Sequence, residues 1–126
     1  MDVPSRVPRL RASFDGAGCD ALLVTNLISI RYLTGFTGSA AMLLVLPNEL
    51  LFVTDGRYGD QSREQLARAG VEAKVEVGTT LAAQRDTVAA TARGIARIGL
   101  EADHVTWAQQ RAMADAWFAD SEVVAT

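Results

Sequence analysis

The residues whose types are best suited to chemistry lie in two short clusters, 35–39 and 55–58, separated by two apolar runs. The second cluster, Asp55-Gly56-Arg57-Tyr58, places a carboxylate, a guanidinium and a phenol within four positions. Free N–H groups and the helix dipole stabilise a carboxylate at a helix start, so capping accounts for Asp55. Arg57 has two interpretations: an ion pair with Asp55 or Asp60, or contact with an anion or carboxylate at a domain boundary.

Hydrolytic chemistry needs residues that this chain has in small number. Metal sites require several converging ligands, and nucleophilic triads require a base beside Ser or Cys. His104 is the only histidine and Cys19 the only cysteine, and His104 falls in a predicted strand-to-helix loop. Gly35 and Gly38 lie between a helix and a strand, the reverse of the order in phosphate-binding loops. We expect no catalytic residue and no metal ligand in this chain.

The composition indicates one globular domain over residues 1–126. Hydrophobic residues make up 49% and charged residues 21% of the chain, an ordinary globular balance. The net charge is −3, and the 12 Lys and Arg are mixed with 15 Asp and Glu, so no basic footprint for nucleic acid is present. A single cysteine is typical of a reducing cytoplasm. The apolar runs are far shorter than the ~20 residues of a membrane span, so we expect a cytoplasmic protein without nucleic-acid or membrane partners.

The first half of the chain alternates helix and strand signals. Apolar residues at helical spacing, runs of four to six apolar residues, and turn residues between them predict five elements. They are a helix capped by Ser5 and reaching 17, a strand over 21–24, a helix over 27–33 capped by Asn26, and an antiparallel hairpin of strands 41–46 and 50–53.

The second half continues this alternation, which gives the fold class. Six further elements are predicted: a helix over 57–69 capped by Thr54 or Asp55, an edge strand over 71–77, a helix from Thr80 to 91, a strand over 95–100, a helix from Thr106 to 119, and a last strand over 122–125. Trp107, Trp117 and Phe118 are predicted to be core residues of the last helix. The sequence predicts a three-layer α/β domain with a mixed sheet of about six strands flanked by helices.

Two stretches resemble the amino-terminal domain of the creatinase, prolidase and aminopeptidase P family. They are 30–40, with Thr-Gly-Phe-Thr-Gly-Ser, and 51–61, with Thr-Asp-Gly-Arg-Tyr; the weaker similarity of 20–25, 75–77 and 98–103 extends over most of the chain. The resemblance implies a parent protein that is a cytosolic Xaa-Pro peptidase, cleaving the bond before proline. Aminopeptidase and dipeptidase activity both remain open.

The resemblance also implies that catalysis takes place in a different domain. In this family a carboxy-terminal domain of the pita-bread fold, absent from these 126 residues, carries out catalysis. It binds two divalent metal ions, often manganese, through two Asp, one His and two Glu, and a metal-bridging hydroxide is the nucleophile. By resemblance, this chain is a noncatalytic domain, inactive alone, that supports a homodimer and shapes access of proline-containing peptides to the catalytic domain.

Five residues are candidates for substrate-entrance or interdomain contacts by the same resemblance: Tyr32, Phe36, Ser39, Arg57 and Tyr58. Phe36 lies between two turn glycines, where its ring is either tucked under the loop or presented to a partner. The alternative function is a free-standing α/β module that binds a ligand or a protein. A polar pocket with a specific small ligand would favour that module over the peptidase domain.

Overall fold

One six-stranded sheet with helices on both faces forms the protein, and the computed structural model describes residues 2–126. The strands are β1 (Ala21–Val24), β2 (Ala41–Val45), β3 (Leu50–Thr54), β4 (Lys74–Val77), β5 (Arg97–Leu100) and β6 (Glu122–Ala125). The helices are α1 (Arg6–Ala12), α2 (Phe14–Ala17), α3 (Leu27–Thr34), α4 (Gly59–Ala69), α5 (Leu81–Thr91) and α6 (Trp107–Ala112), with a 3-10 turn at Val3–Ser5 and a π-helical turn at Met113–Trp117. The predicted three-layer mixed α/β fold is confirmed.

The strand order, β4-β3-β2-β1-β5-β6, follows from how apolar each strand is. β1, β2 and β3 are nearly continuous apolar runs that are buried on both faces, and they lie inside the sheet. β4 and β6 expose their end residues, and they form the two edges. Only β2 runs antiparallel to the other strands.

Each face of the sheet has its own core because successive strand residues point to opposite sides. On β3, Phe52 packs with α1 to α4 on one face, and Leu51 and Val53 pack on the other. The second core receives Val88 from α5 and Met113 from the π-helical turn. The helices that follow β1 and β5 therefore cover opposite faces.

Three helix caps form as their residue types predict, whereas the predicted cap at Ser5 is wrong: no side-chain cap forms there, and the Ser5 hydroxyl donates to Asp2 O at 3.1 Å. Asn26 Oδ1 accepts from Ile28 N at 3.0 Å, and Thr80 Oγ1 accepts from the N–H three residues on. Thr106 and Gln109 form a complete capping box, each side chain accepting from the other residue's N–H at 3.1 and 2.9 Å. These local signals fix where α3, α5 and α6 begin.

The start of α4 differs from the prediction, because neither Thr54 nor Asp55 caps it. The Thr54 hydroxyl donates to Ala40 O at 2.6 Å, and the Asp55 carboxylate accepts from Arg57 N at 3.0 Å. Asp55 therefore closes a turn within the loop, and the helix begins later, at Gly59.

The prediction of a core position for Trp107 is wrong. Its side chain is 76% exposed, whereas Phe118 is buried and Trp117 is partly buried. Phe118 N donates to Met113 O, five residues back, so the helix changes from α to π spacing. The extra residue rotates later side chains by about 100° relative to Trp107. Phe118 and Trp107 thus no longer share a face.

An ion pair joins the start of β1 to β5. The Arg97 guanidinium donates to both Asp20 oxygens, at 2.9 and 3.2 Å, and Arg97 N donates to Asp20 Oδ2 at 3.0 Å. These hydrogen bonds lower the pKa of the Asp20 carboxyl.

We expect the free energy of unfolding to fall as the pH drops below about 4, and Asp20→Asn to weaken this dependence. The pKa of Asp20 is lower in the folded protein than in the unfolded chain, where it is about 3.9. The pair therefore stabilises fully above that value and loses its effect as the pH falls toward the folded pKa. Urea unfolding at about pH 7 and about pH 3 measures this dependence. Asp60→Asn, at a fully exposed carboxylate, is the matched control, and an unchanged pH dependence in Asp20→Asn would contradict the assignment.

Candidate interdomain surface at the carboxyl edge of the sheet

The topology brings the two sequence clusters to the same edge of the sheet. β1, β3, β4, β5 and β6 all end there, and β2 begins there. Loop 35–40 leads into β2 and segment 55–58 follows β3, and Ala41 pairs directly with Thr54. Ligands of α/β proteins bind at this edge. The hairpin therefore brings the two separate motifs together in one surface.

Four side chains form a continuous polar group on this surface, which we call the Arg57 cluster: Ser39, Asp55, Arg57 and Tyr58. The Ser39 and Tyr58 hydroxyls are 2.6 Å apart. Arg57 Nη2 donates to Asp55 Oδ2 at 2.7 Å, and Arg57 Nε lies 3.1 Å from the same oxygen. The guanidinium carbon is 5.0 Å from the centre of the Tyr58 ring, within range of a cation–π contact.

The contacts of the Arg57 cluster favour its charged forms. Hydrogen bonds from Arg57 lower the pKa of the Asp55 carboxyl, and the same bonds raise the pKa of the guanidinium. The hydrogen bond with Ser39 lowers the pKa of the Tyr58 phenol. Arg57 is 66% exposed, and no hydrogen bond between described residues uses its Nη1. Asp55 therefore orients one side of the guanidinium while the other side faces solvent.

Phe36 supports the loop from beneath. Its ring is fully buried and makes edge-to-face contacts with Phe52 and Tyr58, at centroid distances of 4.9 and 5.6 Å. Of the two interpretations, the structure shows the ring tucked under the loop. A Cβ at Gly38 would lie 2.2 Å from Phe36 Cζ, so only glycine lets the loop close over this ring. Phe36 can act at the surface only through the loop and Tyr58.

Sequence reasoning missed Gln65 as a residue of this site. Its Oε1 accepts from Thr37 N at 3.0 Å, and its Nε2 donates to Thr37 Oγ1 at 2.9 Å. Gln61 Nε2 contributes a longer bond to Gln65 Oε1. This two-point contact ties the loop to α4 across 28 positions. No local sequence pattern marks such a contact.

Tyr32 is separate from the Arg57 cluster. It lies on α3 with 55% of its surface exposed, and the Arg6 guanidinium is stacked 4.1 Å from its ring centre. Arg6 Nη1 also donates to Tyr32 O at 2.6 Å. The structure thus brings together four of the predicted residues, Phe36, Ser39, Arg57 and Tyr58, and places Tyr32 on another surface.

Metal binding and membrane crossing each require a recognisable structural feature. Among residues 2–126, no three His, Cys, Asp or Glu side chains are grouped so that they could hold a metal ion. His104 lies in the turn after β5, where its N–H donates to Glu101 O at 3.0 Å. No helix in the described part of the chain has the length and apolar character to cross a bilayer.

Comparison with known proteins establishes the family. The profile of the Creatinase/Prolidase N-terminal domain matches residues 6–126. The chain belongs to this family. As a creatinase/prolidase N-terminal domain, it is 34% identical over 119 residues to the uncharacterized peptidase YqhT of Bacillus subtilis, covering 94% of this chain and 32% of YqhT.

Solved structures show the same domain. An Xaa-Pro dipeptidase from Bacillus anthracis superimposes with a TM-score of 0.86 at 33% identity, over 98% of this chain and 33% of the dipeptidase. The N-terminal domain of the cytoplasmic peptidase PepQ from Mycobacterium tuberculosis gives 0.80 at 30% identity, over 98% of this chain and 93% of that domain. This creatinase/prolidase N-terminal domain spans about a third of the length of YqhT and of the dipeptidase. The resemblance found in the sequence is confirmed.

Proposed function

We propose that this chain is the noncatalytic N-terminal domain of an Xaa-Pro metallopeptidase, of the aminopeptidase P or prolidase type. The family membership and the similarity to an Xaa-Pro dipeptidase support this proposal. The parent enzyme acts in the cytoplasm on proline-containing peptides, and the domain supports a homodimer and shapes substrate access.

The observation that carries this proposal is the orientation of Arg57. Asp55 holds two of its nitrogens, and Nη1 faces solvent at the edge where ligands of α/β domains bind. A fixed guanidinium with a free side is suited to bidentate binding of a carboxylate. In the assembled enzyme, Arg57 receives the carboxylate of a peptide and Tyr58 flanks it.

Catalysis belongs to the second domain in this proposal. Two divalent metal ions, of which manganese is the proposed identity, are held there by two Asp, one His and two Glu. Such a metal pair supplies an activated hydroxide at neutral pH. The residues of this chain bind and orient the peptide at the mouth of the active site, and none of them contacts the reacting atoms.

The test compares this chain with the same chain extended through its downstream coding sequence. Both proteins are assayed for hydrolysis of Xaa-Pro peptides with manganese. We expect activity only in the extended protein, and its loss on chelation of the metal. Hydrolysis by the 126 residues alone would overturn the noncatalytic role. Folded protein without activity in either form would favour a free-standing ligand-binding or interaction module.

A further inference from the structure

The outer edge of β4 is open to a further strand. Within residues 2–126, β4 pairs with β3 and with no other strand. Gly78 N donates to Thr54 O at 2.9 Å, so the backbone of Gly78 faces β3. Because successive residues of a strand direct their N–H and C=O groups to opposite sides, Val75 and Val77 direct theirs away from the sheet. An edge of this kind is a template for pairing with another chain.

β4 carries one charge of each sign on one face. Lys74, the only lysine of the chain, and Glu76 are two positions apart, so they lie on the same side of the strand. Lys74 Nζ is 3.5 Å from Glu76 Oε1, and both side chains reach solvent. Val75, between them, points to the opposite face and packs against the core that contains Phe52. The edge therefore has charged groups on one face and apolar groups on the other.

This charge pattern selects one register for pairing with a second copy. A two-fold axis perpendicular to the sheet makes two β4 strands antiparallel and places each residue opposite one on the same face. With the axis at Lys74 or at Glu76, that residue lies opposite itself, and like charges directly opposite destabilise a sheet. With the axis at Val75, each Lys74 lies opposite Glu76 of the second copy, and such a pair of opposite charges stabilises it.

The register centred on Val75 also suits the backbone. Val75 faces outward, so it can exchange two N–H to C=O hydrogen bonds with Val75 of the second copy. The pairs on either side of a hydrogen-bonded pair are not hydrogen-bonded, and their side chains approach most closely. Lys74 and Glu76 of the two copies occupy these close pairs. Val77, which is 40% exposed, lies opposite Ala73 in this register and gains an apolar contact.

The edge at β6 lacks this complementarity. Its only charged residue is Glu122, and the strand contains no Lys or Arg. Pairing of two β6 strands would therefore bring no attractive charged pair that fixes its register. Of the two edges of the sheet, β4 is the one that is suited to a second copy of this chain.

We propose that two copies of the chain associate through β4, antiparallel about Val75, with Lys74 of each copy in contact with Glu76 of the other. The sheet of one copy then continues into the sheet of the second, and every contact occurs twice, as in an isologous dimer. The inference rests on the proposed function in one respect, because it assigns a surface to the homodimer proposed there. Strands of four residues form the contact, and interfaces of small area are transient.

Sedimentation equilibrium tests the association. We expect a reversible monomer–dimer equilibrium with a dissociation constant on the order of 0.1 mM, as for a small interface. Lys74→Glu brings four carboxylates together and should weaken association roughly tenfold or more. Combining Lys74→Glu with Glu76→Lys exchanges the two charges and should restore it. A monomer at all concentrations up to about ten times that constant would overturn the proposal, and so would equal association of the wild type and Lys74→Glu.

Arg111→Glu is the matched control for this charge reversal. Arg111 is an exposed arginine of α6, the helix that borders β6 at the other edge of the sheet. The variant changes the net charge as much as Lys74→Glu does, and it should associate as the wild type does. Equal weakening in Arg111→Glu would attribute the effect to net charge and would contradict the contact at β4.

A carbodiimide, which joins an amine to a carboxylate with loss of water, tests the register directly. Lys74 carries the only side-chain amine of the chain. In a mixture of isotope-labelled and unlabelled protein, we expect a peptide that links Lys74 to Glu76 and has one labelled half, identified by mass spectrometry. Cross-linked dimers without this peptide would overturn the register at Val75. Peptide hydrolysis by the extended protein is measured separately, so failure of the β4 contact is distinguishable from failure of the proposed function.

Discussion

Replacing Phe36 with alanine should lower the free energy of unfolding by about 3–5 kcal/mol, the range for a buried phenylalanine. The ring is 1% exposed and packs edge-to-face between Phe52 and Tyr58. Removal of the ring leaves a cavity that Phe52 cannot move to fill, because Phe52 is held in the centre of β3. Urea unfolding at neutral pH, followed by circular dichroism, measures the change in midpoint at constant slope.

Two variants control this stability experiment. Phe36→Leu retains most of the apolar volume and should lose less than Phe36→Ala. Trp107→Ala removes a larger side chain that is 76% exposed, and its effect should stay within about 0.5 kcal/mol. A loss of less than about 1 kcal/mol in Phe36→Ala would mean that the ring is not the support of the loop.

Replacing Arg57 with alanine should reduce kcat/KM of the extended peptidase roughly ten- to hundredfold on peptides with a free carboxylate. This follows if the proposed function holds, since a hydrogen bond to a charged group contributes about 1.5–3 kcal/mol. The stability of the domain should change little, because Arg57 and Asp55 form an exposed ion pair. Steady-state kinetics and urea unfolding of the same preparations separate the two effects.

The specificity of that loss identifies the group that Arg57 binds. Peptides with an amidated carboxyl terminus should be cleaved by wild type and by Arg57→Ala at similar rates. Arg63→Ala is the matched control, because this arginine lies on α4 in the same region and its contact with Asp60 is 3.9 Å long. Equal losses on free and amidated peptides would contradict carboxylate binding by Arg57.

The sequence was sufficient to predict the helices and strands whose signals are local. The apolar runs of β1, β2 and β3 indicated buried central strands, and the residue types at Asn26 and Thr106 indicated where helices begin. Each of these depends on neighbours within four positions, which the sequence displays directly.

Contacts between distant segments were not predictable in the same way. Gln65 holds Thr37 across 28 positions, and Glu101 holds Thr25 across 76. Trp107 was misplaced because the π spacing at Met113–Trp117 changes the helix register. No residue type in this segment indicates such a change. The Arg57 cluster was found because its residues lie in two recognisable motifs.

The hairpin of β2 and β3 divides the domain into parts that can lose structure separately. The Arg57 cluster, its Phe36 support and the Gln65 contact all lie between α3 and α4, with Ser39 and Tyr58 only 19 positions apart. The hydrogen bonds of Glu101 to Thr25 N and Asn26 N instead need β5, which returns from the far end of the chain to pair with β1. Proteins open in contiguous cooperative units. A transient detachment of β5 and β6 would therefore release Glu101 from Thr25 and Asn26 while the Arg57 cluster stays assembled, so the two parts of the domain have different local unfolding equilibria.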